Sequence, residues 1–164
     1  MKKIIFISVI IIIAFVGILI WNNGKSAQLN KEKLLQLIPE AKAVVVASAT
    51  CGCCRLYADY LKQQGFDVDV DLKSQDETTL YKDQVGIPQS VRSCHTTRIG
   101  KYLIEGHVPE EAIEKLLKEK PDIKGIGLAG MPSASPGMPG PKLAPFFIKT
   151  ITNNGEDGGL FLKM

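Results

Sequence analysis

Three thiols fall within four positions in the stretch Thr50-Cys51-Gly52-Cys53-Cys54, and the fourth and last cysteine of the chain, Cys94, immediately precedes His95. Such a set can staple a fold through disulfides, or it can offer soft thiolates to an ion or to another disulfide. Adjacent cysteines strain any bond between them, so Cys53 beside Cys54 argues against stapling alone. Four cysteines permit three pairings, and no spacing here selects among them. On a helix Cys51 and Cys54 would share a face, with Cys53 turned roughly 100° away from Cys54. A helix N-terminus lowers a cysteine pKa from about 8.5, and the thiolate it favours is nucleophile and ligand alike. His95 and His107 add imidazoles, and Met131 and Met138 add thioethers. Thioether beside thiolate and imidazole favours Cu(I), whereas zinc would be content with Cys and His. Each of these residues also has a plainer role: a histidine can sit in a turn or before a helix, and methionine is a routine gap filler.

The elements that must position them can be read from periodicity. Ala43 to Ala47, with Val44-Val45-Val46 at its heart, suits a buried strand leading into the cysteine loop, where Thr50 can cap the helix that follows. From Cys51 to Gln64 the apolar residues Leu56, Tyr60 and Leu61 recur at helical spacing, and Gly65 supplies the stop. Phe66 to Leu72 alternates as a strand, which makes Asp67, Asp69 and Asp71 its solvated face and not a metal stripe. Ser74 and Glu77 form a capping box for a helix over 75–84, closed by Gly86. Thr96 to Ile99, the Gly100-Lys101 turn and Tyr102 to Glu105 read as a hairpin, and Pro109 opens a helix to Lys120. A right-handed crossover makes the first two strands parallel, and the hairpin makes the last two antiparallel. The plan is an α/β thioredoxin-like domain, a central mixed four-stranded sheet flanked by helices. In that plan the first strand ends, the third begins and the fourth ends at one edge, so Cys94-His95 and His107 are expected to converge on Cys51 to Cys54.

Past Pro121 the composition shifts to Gly, Pro, Ser and Met, and Gly130 to Met138 is expected to be an ordered wrapping loop. The seven residues Lys124 to Gly130 span about 23 Å if extended, enough to bring a thioether back to the site. Pro145 to Ile151 and Leu160 to Leu162 flank Asn153-Asn154-Gly155 as a closing hairpin.

With 20 basic and 17 acidic residues spread along its 164 positions and no basic run, the chain has nothing that points to nucleic acid. Lys2 and Lys3 precede an uncharged, strongly apolar stretch of 18 residues, Ile4 to Trp21, interrupted only by Ser8 and Gly17. That exceeds a signal-peptide core and reaches the roughly 17–25 residues of a spanning helix. Lys25 spoils the small-x-small pattern that cleavage after Ala27 would want, so an uncleaved N-terminal transmembrane helix is expected. By the positive-inside bias it places the rest of the chain on the extracytoplasmic, periplasmic side of the cell membrane; cleavage to a soluble exported protein is the alternative. Either way the cysteines meet an oxidising space. The chain therefore divides into anchor or signal at 1–25, linker and a short helix around Lys31 to Ile38 at 26–42, the thioredoxin-like metal-binding domain at 43–120, and a Gly/Pro/Met-rich extension at 121–164.

Taken together, Thr50-Cys51-Gly52-Cys53-Cys54, Gly86-Ile87-Pro88, Ser93-Cys94-His95-Thr96, Glu105-Gly106-His107-Val108-Pro109 and Gly130-Met131-Pro132 with Ser135-Pro136-Gly137-Met138 resemble domain of unknown function 411, a bacterial family of small exported metal-binding proteins. The resemblance covers about Ala43 to Met138. It implies a thioredoxin-like fold, export and a link to copper handling, without a defined reaction. The chain departs from the family in its N-terminal region, where an anchor replaces what is often a cleavable signal, and in the tail beyond Pro139.

Three functions follow from these residues. The first is a non-enzymatic, extracytoplasmic metal-binding protein that sequesters Cu(I), or passes it to a transfer partner, through Cys51, Cys53, Cys54, Cys94, His95, His107, Met131 and Met138. The second is a thiol-disulfide oxidoreductase with Cys51 as nucleophile and Cys54 as resolving thiol. The cis-proline that redox thioredoxins usually present before the third strand is replaced here by Cys94-His95-Thr96, which counts against it. The third is a disulfide-stapled, membrane-anchored interaction module.

Overall fold

The computed structural model describes residues 42–164 together with Ile18, Trp21 and Lys25. The expected N-terminal anchor and the short helix around Lys31 to Ile38 lie outside the described residues. Among the described residues no helix is long and apolar enough to cross a membrane.

The chain runs β1 (Lys42–Ser48), α1 (Gly52–Gln63), β2 (Asp67–Lys73), α2 (Gln75–Gln84), a 3-10 turn (Gln89–Val91), β3 (His95–Ile99), β4 (Tyr102–Glu105), α3 (Glu110–Glu119), β5 (Gly125–Gly127), β6 (Phe147–Ile151) and β7 (Asp157–Lys163). These strands form one mixed sheet in the order β2-β1-β3-β4-β5-β6-β7. β1 pairs with β2 in parallel and with β3 antiparallel, and β3 pairs antiparallel with β4. The sheet does not stop at those four strands. β5 continues it parallel to β4, and the β6–β7 hairpin closes it. The wider sheet is a correction to the expected four strands. Its cause is β5, a three-residue Gly-Ile-Gly strand that carries no apolar period of its own.

The main core lies between the sheet and the helices α1 and α3, with Val45, Tyr57, Leu61, Ile104, Ile113, Leu116 and Ile126 fully buried. On α1 the buried stripe is Cys54, Tyr57, Ala58 and Leu61, a spacing of three and four residues, while Leu56 points to solvent at 56% exposure. The cap also differs from expectation. Cys51 is the N-cap residue of α1, with no side-chain cap bond, and the Thr50 hydroxyl instead meets Ser48 Oγ at 3.0 Å. The Ser74–Glu77 capping box on α2 is present in both directions. A smaller cluster, Ile87, Val91, Leu103 and Ile151, fills the opposite face of the sheet.

Candidate metal centre

The ends of the strands bring the site together. β1 ends at Ser48, one turn before α1, while β3 begins at His95 opposite Ala47. β4 ends at Glu105, two residues before His107. Strand alternation then sorts the side chains. His95 faces the α1 side and lies against the fully buried Tyr57 ring, centroids 4.6 Å apart, while Thr96 faces away from it, opposite Glu105. Tyr57 is itself held by its hydroxyl, which donates to the Val108 carbonyl at 2.9 Å.

The four cysteines meet at this edge in two chemical states. Cys51 and Cys54 are joined in a disulfide, their Cα atoms 5.4 Å apart, and Cys53 and Cys94 are free thiols. Cys53 Sγ lies 3.5 Å from Cys51 Sγ and 4.0 Å from Cys94 Sγ. Cys94 Sγ is also 3.2 Å from His95 Nδ1 and 3.0 Å from His107 Nε2. The donors thus form two overlapping groups, Cys51-Cys53-Cys54-Cys94 and Cys94-His95-His107, the atoms of each within 4.8 Å of one another. Cys94 belongs to both.

The electrostatics favour neutral nitrogen donors. Burial, followed by the charges of His107 and Lys82, holds His95 well below its ordinary pKa, and burial lowers His107 as well. Both imidazoles therefore keep a lone pair at neutral pH. The Cys94 thiol is pushed up to about 12 by burial and by its neighbour Cys53, so it holds its proton until something displaces it. His95 is fully buried and its Nε2 has no hydrogen-bond partner, although buried polar atoms are ordinarily satisfied. Spare donor capacity in a cluster of sulfur and nitrogen, with no carboxylate in either group, fits a soft metal ion.

The extension past Pro121 completes the site, but mainly with backbone. His107 Nδ1 donates to the Pro136 carbonyl at 2.6 Å, which leaves Nε2 as the nitrogen that faces Cys94. Gly137 follows at φ +79°, where an added Cβ would fall 2.8 Å from Tyr57 N, so the loop rests directly on the backbone of α1. Ser93 Oγ donates to the Gly130 carbonyl, and Gly130 N–H donates to the Arg92 carbonyl at 3.1 Å, which pins the start of the loop beside Cys94. Met131, 53% exposed, lines a cleft of about 450 Å³ that opens onto Cys51 and Cys94, with Thr50, Gln75 and Arg92 on its rim. Met138 is half-buried in a turn closed by its N–H on the Ser135 carbonyl, and it is not part of that lining.

Residues 91–138 match the family described as "Protein of unknown function, DUF411". Two solved structures are similar over most of the chain. Form 1 of the copper resistance protein CopG is 31% identical, with a TM-score of 0.67, over 75% of this chain and 96% of its own. Form 2 is 33% identical, with a TM-score of 0.66, over 75% and 97%. The chain belongs to the DUF411 family. No curated protein matches its sequence. In this DUF411 member the family match contains Cys94, His95, His107 and both methionines and leaves out the cysteine loop of α1. Glu105, which the sequence offered only as part of a motif, and its partner Lys82, which lies before the matched region, were not singled out as site elements in the sequence. Lys82 sits in a polar helix and reads as a surface residue, yet it is 5% exposed and its Nζ lies 2.5 Å from the Glu105 carboxylate.

Proposed function

We propose that this chain is an extracytoplasmic copper-binding protein that holds Cu(I) in the cluster around Cys94. The observation that carries the reading is convergence: one half-buried sulfur in contact with two neutral imidazoles on one side and with Cys53 on the other, all without carboxylates. The similar structures bear the name of a copper resistance protein, which supports copper over zinc as the cargo.

The chain's own groups dictate how an ion would be taken up. A thiol held up to about 12 must lose its proton for Cys94 to ligate, so loading at neutral pH releases protons. His107 is already fixed in the tautomer that presents Nε2, and His95 needs no deprotonation. The exposed thioether of Met131 stands on the cleft that reaches Cys94, where a weakly held ion could pass in or out. With the disulfide closed, Cys53, Cys94, His95 and His107 remain as donors, and reduction would add Cys51 and Cys54. Sequestration and transfer to a partner protein use the same donors.

The test is a competition titration of the reduced protein against a chromogenic Cu(I) chelator. Sub-micromolar binding is expected, and Cys94→Ser, which removes the atom common to both donor groups, should weaken it more than Cys53→Ser. Absence of tight binding, or binding indifferent to Cys94, would sink the reading.

One observation favours a second reading, thiol-disulfide exchange: the Cys51–Cys54 disulfide sits at the start of a helix with the free thiol of Cys53 3.5 Å from Cys51. Failure to oxidise or reduce a model dithiol at catalytic concentration would remove it. We also propose that residues 4–21 hold the protein at the membrane with the domain on the periplasmic side. Retention in the pellet after alkaline carbonate extraction, together with protease access from the periplasm, checks that placement, and release into the soluble fraction contradicts it.

A further inference from the structure

Behind the donors, on the opposite face of the sheet, lies a buried polar knot of Lys82, Thr96 and Glu105 whose side chains make no hydrogen bond to a candidate ligand side chain. Glu105 is fully buried. One carboxylate oxygen accepts from Lys82 Nζ at 2.5 Å and from the Ser93 backbone N–H at 2.7 Å, and the other accepts from Thr96 Oγ1 at 2.5 Å. Lys82 Nζ closes the circuit by donating to the same Thr96 hydroxyl at 3.0 Å. We infer that the Lys82–Glu105 pair is the positioning device of the centre, holding Cys94, His95 and His107 in register; this rests on the copper-binding reading above.

The argument is one of connectivity. Ser93 and Thr96 bracket Cys94-His95 on either side, and a single carboxylate grips both ends of that four-residue step. The carboxylate also belongs to the strand that ends one residue short of Gly106-His107. Gly106 is packed under Ser93, where an added Cβ would fall 2.5 Å from the Ser93 side chain, and Gly106 N–H donates to the His95 carbonyl at 2.9 Å. Every segment that carries a donor in the Cys94-His95-His107 group is therefore tied to Glu105 or to its neighbour. Lys82 reaches in from α2, so the second helix, which contributes no donor, sets the position of the carboxylate.

Stability alone does not account for the pair. Taking two charges out of water costs much of what their attraction returns, and apolar residues of similar size often replace buried pairs without loss. Groups hydrogen-bonded to a metal ligand typically change affinity by about 10- to 100-fold when removed, and Glu105 acts one step further out, through the Ser93 N–H and the Thr96 hydroxyl, so the lower end of that range applies.

Two double variants of the full chain separate the roles. Lys82→Met with Glu105→Leu gives an apolar knot and leaves the Ser93 N–H without its acceptor. Lys82→Met with Glu105→Gln restores a neutral acceptor at that place. The measurements are Cu(I) affinity by chelator competition, the melting midpoint, and the imidazole nitrogen NMR signals of His95 and His107 in the metal-free protein. Expected are a loss of affinity of at least about tenfold and displaced imidazole signals in the apolar variant, and recovery of both in the amide variant. Should the apolar pair not fold, Glu105→Asp keeps the charge but withdraws the carboxylate by roughly 1.5 Å, and the same loss and displacement are expected. A folded apolar or Asp variant with unchanged affinity and unchanged imidazole signals overturns the inference. If the wild-type protein binds no copper while the imidazole signals move as described, the positioning role stands and only the copper reading falls.

Discussion

Gly137→Ala should damage the metal centre while barely touching the core. The glycine holds φ +79°, and an added Cβ would lie 2.8 Å from Tyr57 N, 3.1 Å from the Leu56 carbonyl carbon and 3.2 Å from Tyr57 Cα. All three are main-chain atoms of α1, which cannot rotate aside as a side chain would. The loop must instead lift by roughly half an ångström or more to reach ordinary van der Waals distance. The left-handed conformation adds strain of about 1–2 kcal/mol for a residue with a Cβ. For a chain of this size that lowers the melting temperature by about 2–8 °C. The larger effect is local: the lift draws the Pro136 carbonyl away from His107 Nδ1, now 2.6 Å distant. A ring without that acceptor can move its proton to Nε2, the nitrogen that faces Cys94, and the lone pair leaves the site. Cu(I) affinity should fall by about 10- to 100-fold. Gly140→Ala is the matched control, because it carries the same kind of strain at φ +98° but would meet only the Ser133 side chain, at 3.4 Å and beyond. It should lose comparable stability and keep its affinity within about twofold. Equal copper affinities for the two variants would refute the argument that the loop acts through His107.

Other outcomes follow from the same geometry. With its pKa pushed up to about 12 from 9.0, the metal-free Cys94 thiol should carry about a thousandth of an ordinary thiolate fraction near pH 8. Iodoacetamide should then label Cys53 first, as mapped by mass spectrometry, and equal rates would contradict the burial argument. Lys82→Met leaves the Glu105 carboxylate buried without its cation and should cost about 3–5 kcal/mol, read as a fall in the melting midpoint; an unchanged midpoint would show that the pair contributes nothing. His95 and His107 both have lowered pKa values in the folded state, so the unfolded chain binds more protons between those values and about 6.5. Stability of the metal-free protein should therefore drop as the pH falls from 7 towards 5.5, and a flat melting profile over that range would count against it.

Much of this arrangement was legible because it rests on short-range signals. The valine run into the cysteine loop, the Ser74–Glu77 box and the Gly100-Lys101 turn each specify one element, and their order brings residues 51–54, 94–95 and 107 to one edge. What could not be read depends on partners distant in the chain. The pairing of Cys51 with Cys54 is one of three that four cysteines allow. On α1, Leu56 is the more apolar of two adjacent residues, yet it is Tyr57 that turns inward, which only the packed sheet decides. The loop's main contribution was expected from sulfur, yet its closest bond to the site comes from the carbonyl of Pro136, which has no side-chain signature. Lys82 and Glu105 are 23 residues apart, and nothing local marks either as buried.

The three residues of β5 carry a consequence for how this protein can be dismantled. A Cβ on Gly125 would land 1.8 Å from the Leu103 carbonyl oxygen, and one on Gly127 would land 2.3 Å from Val91. β5 thus lies against the backbone of β4 at Gly125 and against the Val91 side chain at Gly127, with the buried Ile126 between the two glycines. A chain cut after residue 120 would not yield a smaller, self-sufficient domain. It would bare the full hydrogen-bonding edge of β4, with Leu103 and Ile104 uncovered, and such an edge recruits strands from other molecules. The tail is in this sense the domain's own safeguard against sticking to its neighbours.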